Sequence, residues 1–432
     1  MLQASDISGK CMLGFSAALA LFAPLHAEAK GGFSVLYAFQ GGNDGANPAA
    51  GLTADKQGNF YGTTNTGGSE TDCGEGPLGC GTVFKLAPSG TETVLHSFCS
   101  QAKCTDGAYP ASGLIEDKKG DLTGTTYGGG NTGCYGFGCG TVFRLARNGR
   151  ETVLHTFAGG SDGAWPIAGL IVDEKGNFYG TTFEGGSAGC GGTGCGTIFK
   201  VASDGTETVL YAFTGGTDGN YPHGSLIVDK QGNLYGTASA GGNNGCDGVG
   251  CGTVFKLAPN GALHVLYTFA GGNDGSDPVG SLLADAKGNF YTTTSGGGDT
   301  ACNSGYGCGT VVEIAAHGQE SVLHAFSGAR DGALPQAGML EDDKGNFYGT
   351  ATEGGGGGCS GLGCGTVWKL APDGKLEVLY RFTGGSDGDG PAGSLILDGG
   401  DLYSSASAGG GSSCMNPEGM VIGCGTLFKV EE

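Results

Sequence analysis

Hydrophobic residues run along this chain in short stretches bounded by Gly, Asn, Asp or Pro, and none keeps the 3.6-residue period of a helix face. The segment from Asp162 to Phe213, DGAWPIAGLIVDEKGNFYGTTFEGGSAGCGGTGCGTIFKVASDGTETVLYAF, shows the pattern at its clearest. It predicts four strands, Gly169–Asp173, Asn177–Thr182, Gly196–Val201 and Thr208–Phe213, here named a to d in chain order. Between a and b, Asp173, Gly176 and Asn177 predict a tight turn whose glycine takes positive φ, and Ala202–Thr206 plays the same part between c and d.

The same unit recurs. Asp-Gly-x-x-Pro starts at Asp44, Asp106, Asp162, Asp218, Asp274, Asp331 and Asp387, at spacings of 62, 56, 56, 56, 57 and 56 residues. An extended loop at Cys73–Cys80 and an insertion at Cys99–Cys104 lengthen the first spacing. A four-stranded antiparallel meander repeated seven times predicts an all-β fold, a seven-bladed β-propeller spanning 30–432. Strand d reaches seven copies only if Phe33–Phe39 is included, because the last unit stops after its strand c, Gly425–Val430. The N-terminal strand is therefore expected to complete blade seven as its outermost strand, which removes an open edge. A linear solenoid would need capping repeats, and the sequence offers none.

Residues 1–29 read differently. Lys10 precedes an apolar run from Met12 to Leu25, followed by Ala27-Glu28-Ala29, the layout of a cleaved signal peptide. Cys11 would leave with it. The other sixteen cysteines fall into eight close pairs: Cys73/Cys80, Cys99/Cys104, Cys134/Cys139, Cys190/Cys195, Cys246/Cys251, Cys302/Cys308, Cys359/Cys364 and Cys414/Cys424. An even count in an exported chain predicts disulfides. Such bridges would stay within single loops, and their main effect would be to fix the shape of Gly-rich segments. Metal ligation is the rival, but no pair has C-x2-C spacing and no histidine pattern accompanies them. With 95 glycines and a formal net charge of −21, the chain suits neither helix bundles nor phosphate binding, so no nucleic-acid partner is expected. No other segment is long and apolar enough to span a membrane. A secreted or periplasmic monomer follows.

Together the motifs D-G-x-x-P, D-x-x-G-N-F-Y-G-T-T, G-C-G-T-V-F-K-L and T-V-L-H-x-F make the chain resemble the GloVer tandem repeat of exported bacterial proteins. The resemblance covers about 400 residues. It implies export, often with a C-terminal surface anchor, and it brings no established biochemical activity. Here the sequence ends at Glu431-Glu432 without a sorting tail, which favours release or periplasmic residence over anchoring.

Meander geometry places the d–a and b–c links on one face of the disc and the short a–b and c–d turns on the other. The first face carries the Gly-Gly-x-Asp-Gly loops and the cysteine loops, and it is the expected binding face. One aspartate per blade is sparse for calcium, so these aspartates are expected to brace their own loops, with a bound cation as the alternative. Symmetry breaks in consecutive blades. Tyr109, Trp165 and Tyr221 follow the Asp-Gly step, and Tyr127 and Phe183 end two of the b strands. Tyr135 and Phe137 lie in a neighbouring cysteine loop, and His223 follows its proline in one repeat alone. These eight residues are the candidate ligand site, suited to stacking on a sugar or anchoring a protein, with loop bracing against Pro110, Pro166 and Pro222 as the plainer role. His96, His155 and His324 share one strand-d position with Tyr37, Tyr211, Tyr267 and Tyr380 and read as structural. No nucleophile elbow, H-E-x-x-H, P-loop or dinucleotide fingerprint occurs, so neither catalytic residues, metal nor cofactor are expected. The reading is a non-enzymatic exported propeller that binds a glycan or protein. The alternative is a polysaccharide lyase or glycoside hydrolase with its site in the channel mouth.

Overall fold

A computed structural model describes residues 32–69, 73, 79–300, 302, 305–411, 414–415 and 421–432. The expected signal peptide at 1–29 lies outside them. Seven antiparallel sheets follow one another along the chain, with no α-helix among the described residues. Blade 3 is typical: Ile171–Val172, Phe178–Thr182, Thr197–Val201 and Glu207–Ala212 pair in sequence order. Strand a is shorter than expected: Gly169 faces Ser225 of the next blade, Leu170 packs over Gly180 of its own strand b, and Asp173 belongs to the turn, where its carboxylate accepts the Asn177 N–H at 2.9 Å. Blade 4 adds a short strand, Asn220–Pro222, paired to Leu234–Ala240.

The seven sheets form a closed propeller. Phe33–Ala38 pairs antiparallel with Thr426–Glu431, so the first strand of the chain is the outermost strand of the last sheet. The seam between blades 7 and 1 repeats the contacts of the other seams. Phe39 meets Phe84 edge-on at 5.2 Å, as Phe98 meets Phe143 and Phe157 meets Phe199 at 5.0 Å. Each pair joins the end of one strand d to strand c of the next blade, and every ring in these pairs is fully buried. Edge-to-face geometry adds about 0.5–1.5 kcal/mol per pair beyond area burial. Trp368 takes the strand-c phenylalanine position in blade 6 and is fully buried against Phe326.

Small residues meet at the axis. Ser225 donates its backbone N–H to Ser281 Oγ at 3.0 Å, and Gly338 does the same to Ser394 at 3.2 Å. A methyl group on Gly51 would touch Ser394, one on Gly113 would touch Gly51, and one on Gly169 would touch Ser225. Around this ring, strand-b hydroxyls bond across seams: Thr63 Oγ1 to the Ser112 carbonyl at 3.1 Å, and Ser405 Oγ to the Ala50 carbonyl at 3.0 Å, which closes the circle.

All eight expected cysteine pairs are disulfides: Cys73–Cys80, Cys99–Cys104, Cys134–Cys139, Cys190–Cys195, Cys246–Cys251, Cys302–Cys308, Cys359–Cys364 and Cys414–Cys424. Each b–c disulfide sits against the loop that follows strand d of its own blade. At Gly159, for example, any β-carbon would press on both sulfurs of Cys134–Cys139, which accounts for the first glycine of that pair, whereas Gly160 meets open space.

The bridges stay within single loops, as expected, and their inner cysteines are also buried. The second cysteines Cys80, Cys139, Cys195, Cys251, Cys308, Cys364 and Cys424 are 0–1% exposed, and Cys73 and Cys104 are buried as well. They belong to the hydrophobic cores between blades. Cys195 shares a cluster with Ile198 and Phe213, and Cys251 with Val254 and Phe269. Cys308 joins Val311 and Phe326, and Cys424 joins Phe39 and Leu427. The reason is proximity to strand c, which begins two residues later at Thr197, Thr253, Thr310 and Thr426. The chain is already at core depth there, and a half-cystine is apolar enough to stay. Each bridge therefore ties a surface loop to the core, and these cysteines offer nothing to a ligand.

Candidate binding face

Each blade is entered through a residue in the left-handed region: Asn47, Tyr109, Trp165, Tyr221, Asp277, Leu334 and Gly390 have φ between +54° and +62°. One clamp explains all seven. The entry residue donates its N–H to the carbonyl of the second cysteine of the preceding blade, at 2.8–3.1 Å. Its own carbonyl receives an N–H from the end of strand b, as in Phe183 to Trp165 at 3.0 Å. The glycine after that cysteine must stay bare, since a β-carbon on Gly140 would strike the Thr126 carbonyl and Pro166. The clamp fixes the backbone and leaves the entry side chain free to vary.

In consecutive seams that side chain is aromatic and lies on the b-strand end of the preceding blade. Trp165 stacks on Tyr127 (5.3 Å, 24°), and Tyr135 leans toward Trp165 at 6.2 Å. Trp165 Nε1 donates to the Gly138 carbonyl at 3.3 Å. One seam on, Tyr221 stacks on Phe183 (4.7 Å, 18°), with His223 edge-on to Phe183 at 6.4 Å. Tyr135 is 76% exposed and Phe137 37%. Tyr109 is withdrawn, 9% exposed, with its hydroxyl on the Cys73 carbonyl at 3.2 Å. Burial holds the His223 imidazole below its ordinary pKa against the opposing pull of Asp277.

The cysteine loops add residues that the sequence reading passed over. Val249, Tyr306 and Leu362 occupy the place of Phe137, immediately before Gly-Cys, and are 60–63% exposed. Tyr306 donates to Asp247 of the adjacent blade at 2.7 Å. The signal was present as an apolar residue between two glycines at the same step of several repeats.

The loop aspartates do serve their own loops. Asp44, Asp218 and Asp387 accept backbone N–H groups from Gln40, Thr214 and Thr383 at 2.8–2.9 Å. Each also takes the hydroxyl of the strand-d tyrosine, as in Tyr37 to Asp44 and Tyr380 to Asp387 at 2.9 Å. Where the slot holds histidine, the imidazole faces the same carboxylate: His96–Asp106 at 3.5 Å, His155–Asp162 at 3.3 Å and His324–Asp331 at 3.2 Å. In several seams a glutamate from the start of the next strand d joins them. Burial, reinforced by Asp44, raises Glu92 to about 7, and burial raises Glu151 to about 7.

These features define a closed seven-bladed propeller stapled by loop disulfides, with an aromatic sector on its cysteine-loop face. The chain belongs to the Gloeobacter/Verrucomicrobia repeat family, whose model matches residues 25–249, 135–361 and 300–432. No curated protein matches the chain. Among solved structures, the extracellular domain of a hybrid two-component system from B. thetaiotaomicron is similar, with TM-score 0.54 and 13% identity over 93% of this chain and 42% of that one. The PQQ-bound aldose sugar dehydrogenase of Streptomyces coelicolor aligns at TM-score 0.43 and 12% identity over 94% and 99% of the two chains. A gluconolactonase of Xanthomonas campestris aligns at 0.42 and 16% over 81% and 90%. At these identities the first likeness speaks for the fold alone.

Proposed function

We propose that this protein is an exported, non-enzymatic propeller that binds a glycan through the aromatic sector of blades 2 to 4. The observation that carries the reading is the strained entry position. A bulky residue with positive φ costs about 1–2 kcal/mol, and Asn47 or Gly390 serves the clamp without that cost. Tyr109, Trp165 and Tyr221 nevertheless occupy it in three consecutive blades, and in two of them the side chain builds a stack on the loop-bearing face. Exposed ring faces complement the C–H face of a pyranose. The surrounding charge of −21 disfavours acidic sugars, so a neutral glycan fits best. The disulfides suit an oxidising compartment outside the cytoplasm. The axial ring of glycine and serine weighs against a lyase or hydrolase at the channel mouth, where a general acid and base would have to converge.

A glycan array with oxidised protein tests this. Wild type is expected to select neutral oligosaccharides, and the Trp165→Ala and Tyr135→Ala variants to lose those signals while still melting cooperatively. Identical array profiles for wild type and both variants would reject the aromatic sector as the site.

A further inference from the structure

We infer that His155, Asp162 and Glu207 form a binding site for one zinc-type divalent ion at the seam between blades 2 and 3. The three come from different segments: His155 from strand d of blade 2, Asp162 from the loop that follows it, and Glu207 from the start of strand d of blade 3. Their ligand atoms all lie within 4.8 Å of one another. The His155 Nε2 to Asp162 Oδ1 distance is 3.3 Å, close to the edge of about 3.4 Å in a zinc tetrahedron with Zn–N and Zn–O bonds near 2.0–2.2 Å.

The polar atoms point to an ion rather than to a finished hydrogen-bond network. Glu207 Oε1 and His155 Nε2 are sealed from solvent and neither has a hydrogen-bond partner among the described residues, as also holds for Glu151 Oε1 and His96 Nε2 one seam back; what sets the His155 seam apart is that all three donors converge there. The imidazole is not aligned for a bond to Asp162, whereas His324 is aligned on Asp331 at the matching seam. The remaining groups hold the donors in place. Asp162 Oδ2 accepts the Ala158 N–H, which turns Oδ1 toward the histidine, and the His155 ring is braced edge-on by Phe157 at 4.8 Å. A hydrogen bond that fixes a carboxylate in this way is typical of metal ligands, while the edge-on ring is shared with His96 and His324.

The repeat supplies its own comparisons. The His324 seam has Leu376 at the register of Glu207 and so lacks a third donor. At the His96 seam, Asp106 Oδ2, the oxygen facing the histidine, already takes two hydrogen bonds from Ser100. Tyrosine fills the histidine slot in four blades and keeps the bond to aspartate, so His155→Tyr deletes a ligand with a residue the fold already accepts. Glu207→Leu likewise copies Leu263 and Leu376.

The test is calorimetric titration of tag-free, chelator-stripped protein with zinc chloride, with all eight disulfides intact so that no thiolate competes. Wild type is expected to bind saturably, with a thermal midpoint that rises with zinc. His155→Tyr and Glu207→Leu should each lower the zinc stoichiometry by one and lose the zinc-dependent rise, with unchanged midpoints in chelator, while His324→Tyr behaves as wild type. Absence of saturable binding to wild type, or a stoichiometry that His155→Tyr leaves unaltered, would overturn the assignment. Neither readout involves a glycan, so its failure is separable from that of the proposed function.

Discussion

Trp165 and Glu92 are held by opposite kinds of constraint. The tryptophan occupies a backbone conformation that suits asparagine or glycine better, and its chain neighbours cannot reveal this, because the clamp partner is the Cys139 carbonyl of the preceding blade. Glu92 sits in an ordinary strand, yet its Oε1 is buried without a partner, as is Oδ1 of Asp44 nearby. A proton on the glutamate makes that pairing tolerable. Folding raises Glu92 to about 7, while the unfolded chain releases the proton near pH 4.3. The native state therefore holds the extra proton between those values, and this contribution to stability, complete below about pH 4, is lost as pH rises through 7. The thermal midpoint of wild type is expected to fall from pH 5 to pH 8 more steeply than that of Glu92→Gln. Equal slopes would show that the carboxyl is already ionised in the fold. Nothing around Glu92 in the sequence announces this, since Asp44 lies about fifty residues earlier, at the opposite end of the same unit.

The strands themselves were legible because their short apolar runs and the turn residues that bound them are local properties. Blade 3 departs from the expected boundaries by a residue or two, where flanking residues such as Gly169, Asn177 and Gly196 leave the ladder and Glu207 joins it. The N-terminal strand was legible by counting, as strand d was one copy short. Its strength comes from a residue that breaks the repeat. Phe33 holds the register that Glu92 holds in blade 1, and it lies flat on Tyr380 at 3.7 Å and 6°, edge-on to Phe382. Phe33→Ala is expected to cost on the order of 2 kcal/mol, as a partly buried aromatic with one stacked neighbour. The denaturant midpoint reports this, and a change below about 0.5 kcal/mol would mean that backbone pairing alone holds the clasp.

At the scale of the whole disc, order comes from seams and the disulfides act locally. Each bridge spans 5 to 10 residues, and short loops gain least from cross-linking in the chain-entropy picture. A thiol left at Cys195 or Cys308 would remain a small apolar member of its core. Mild reduction is expected to leave the far-UV spectrum intact while exposing the glycine loops to protease. Complete cooperative unfolding on reduction would place the ring's stability in the bridges. The sequence told the architecture and the busy face because both repeat. It did not tell which side chains meet across seams, since partners such as His155 and Glu207 stand about fifty positions apart and meet only once the sheets are radial. That arrangement also sets a timetable for assembly. At ~5–20 residues per second, Phe33–Ala38 emerges on the order of 20–80 s before Thr426–Glu431 is made. Throughout that interval a strand with one apolar face and no ladder has only the wrong edges to join, so a nascent chain stalled before blade seven should be the form most prone to cross-pairing with its neighbours.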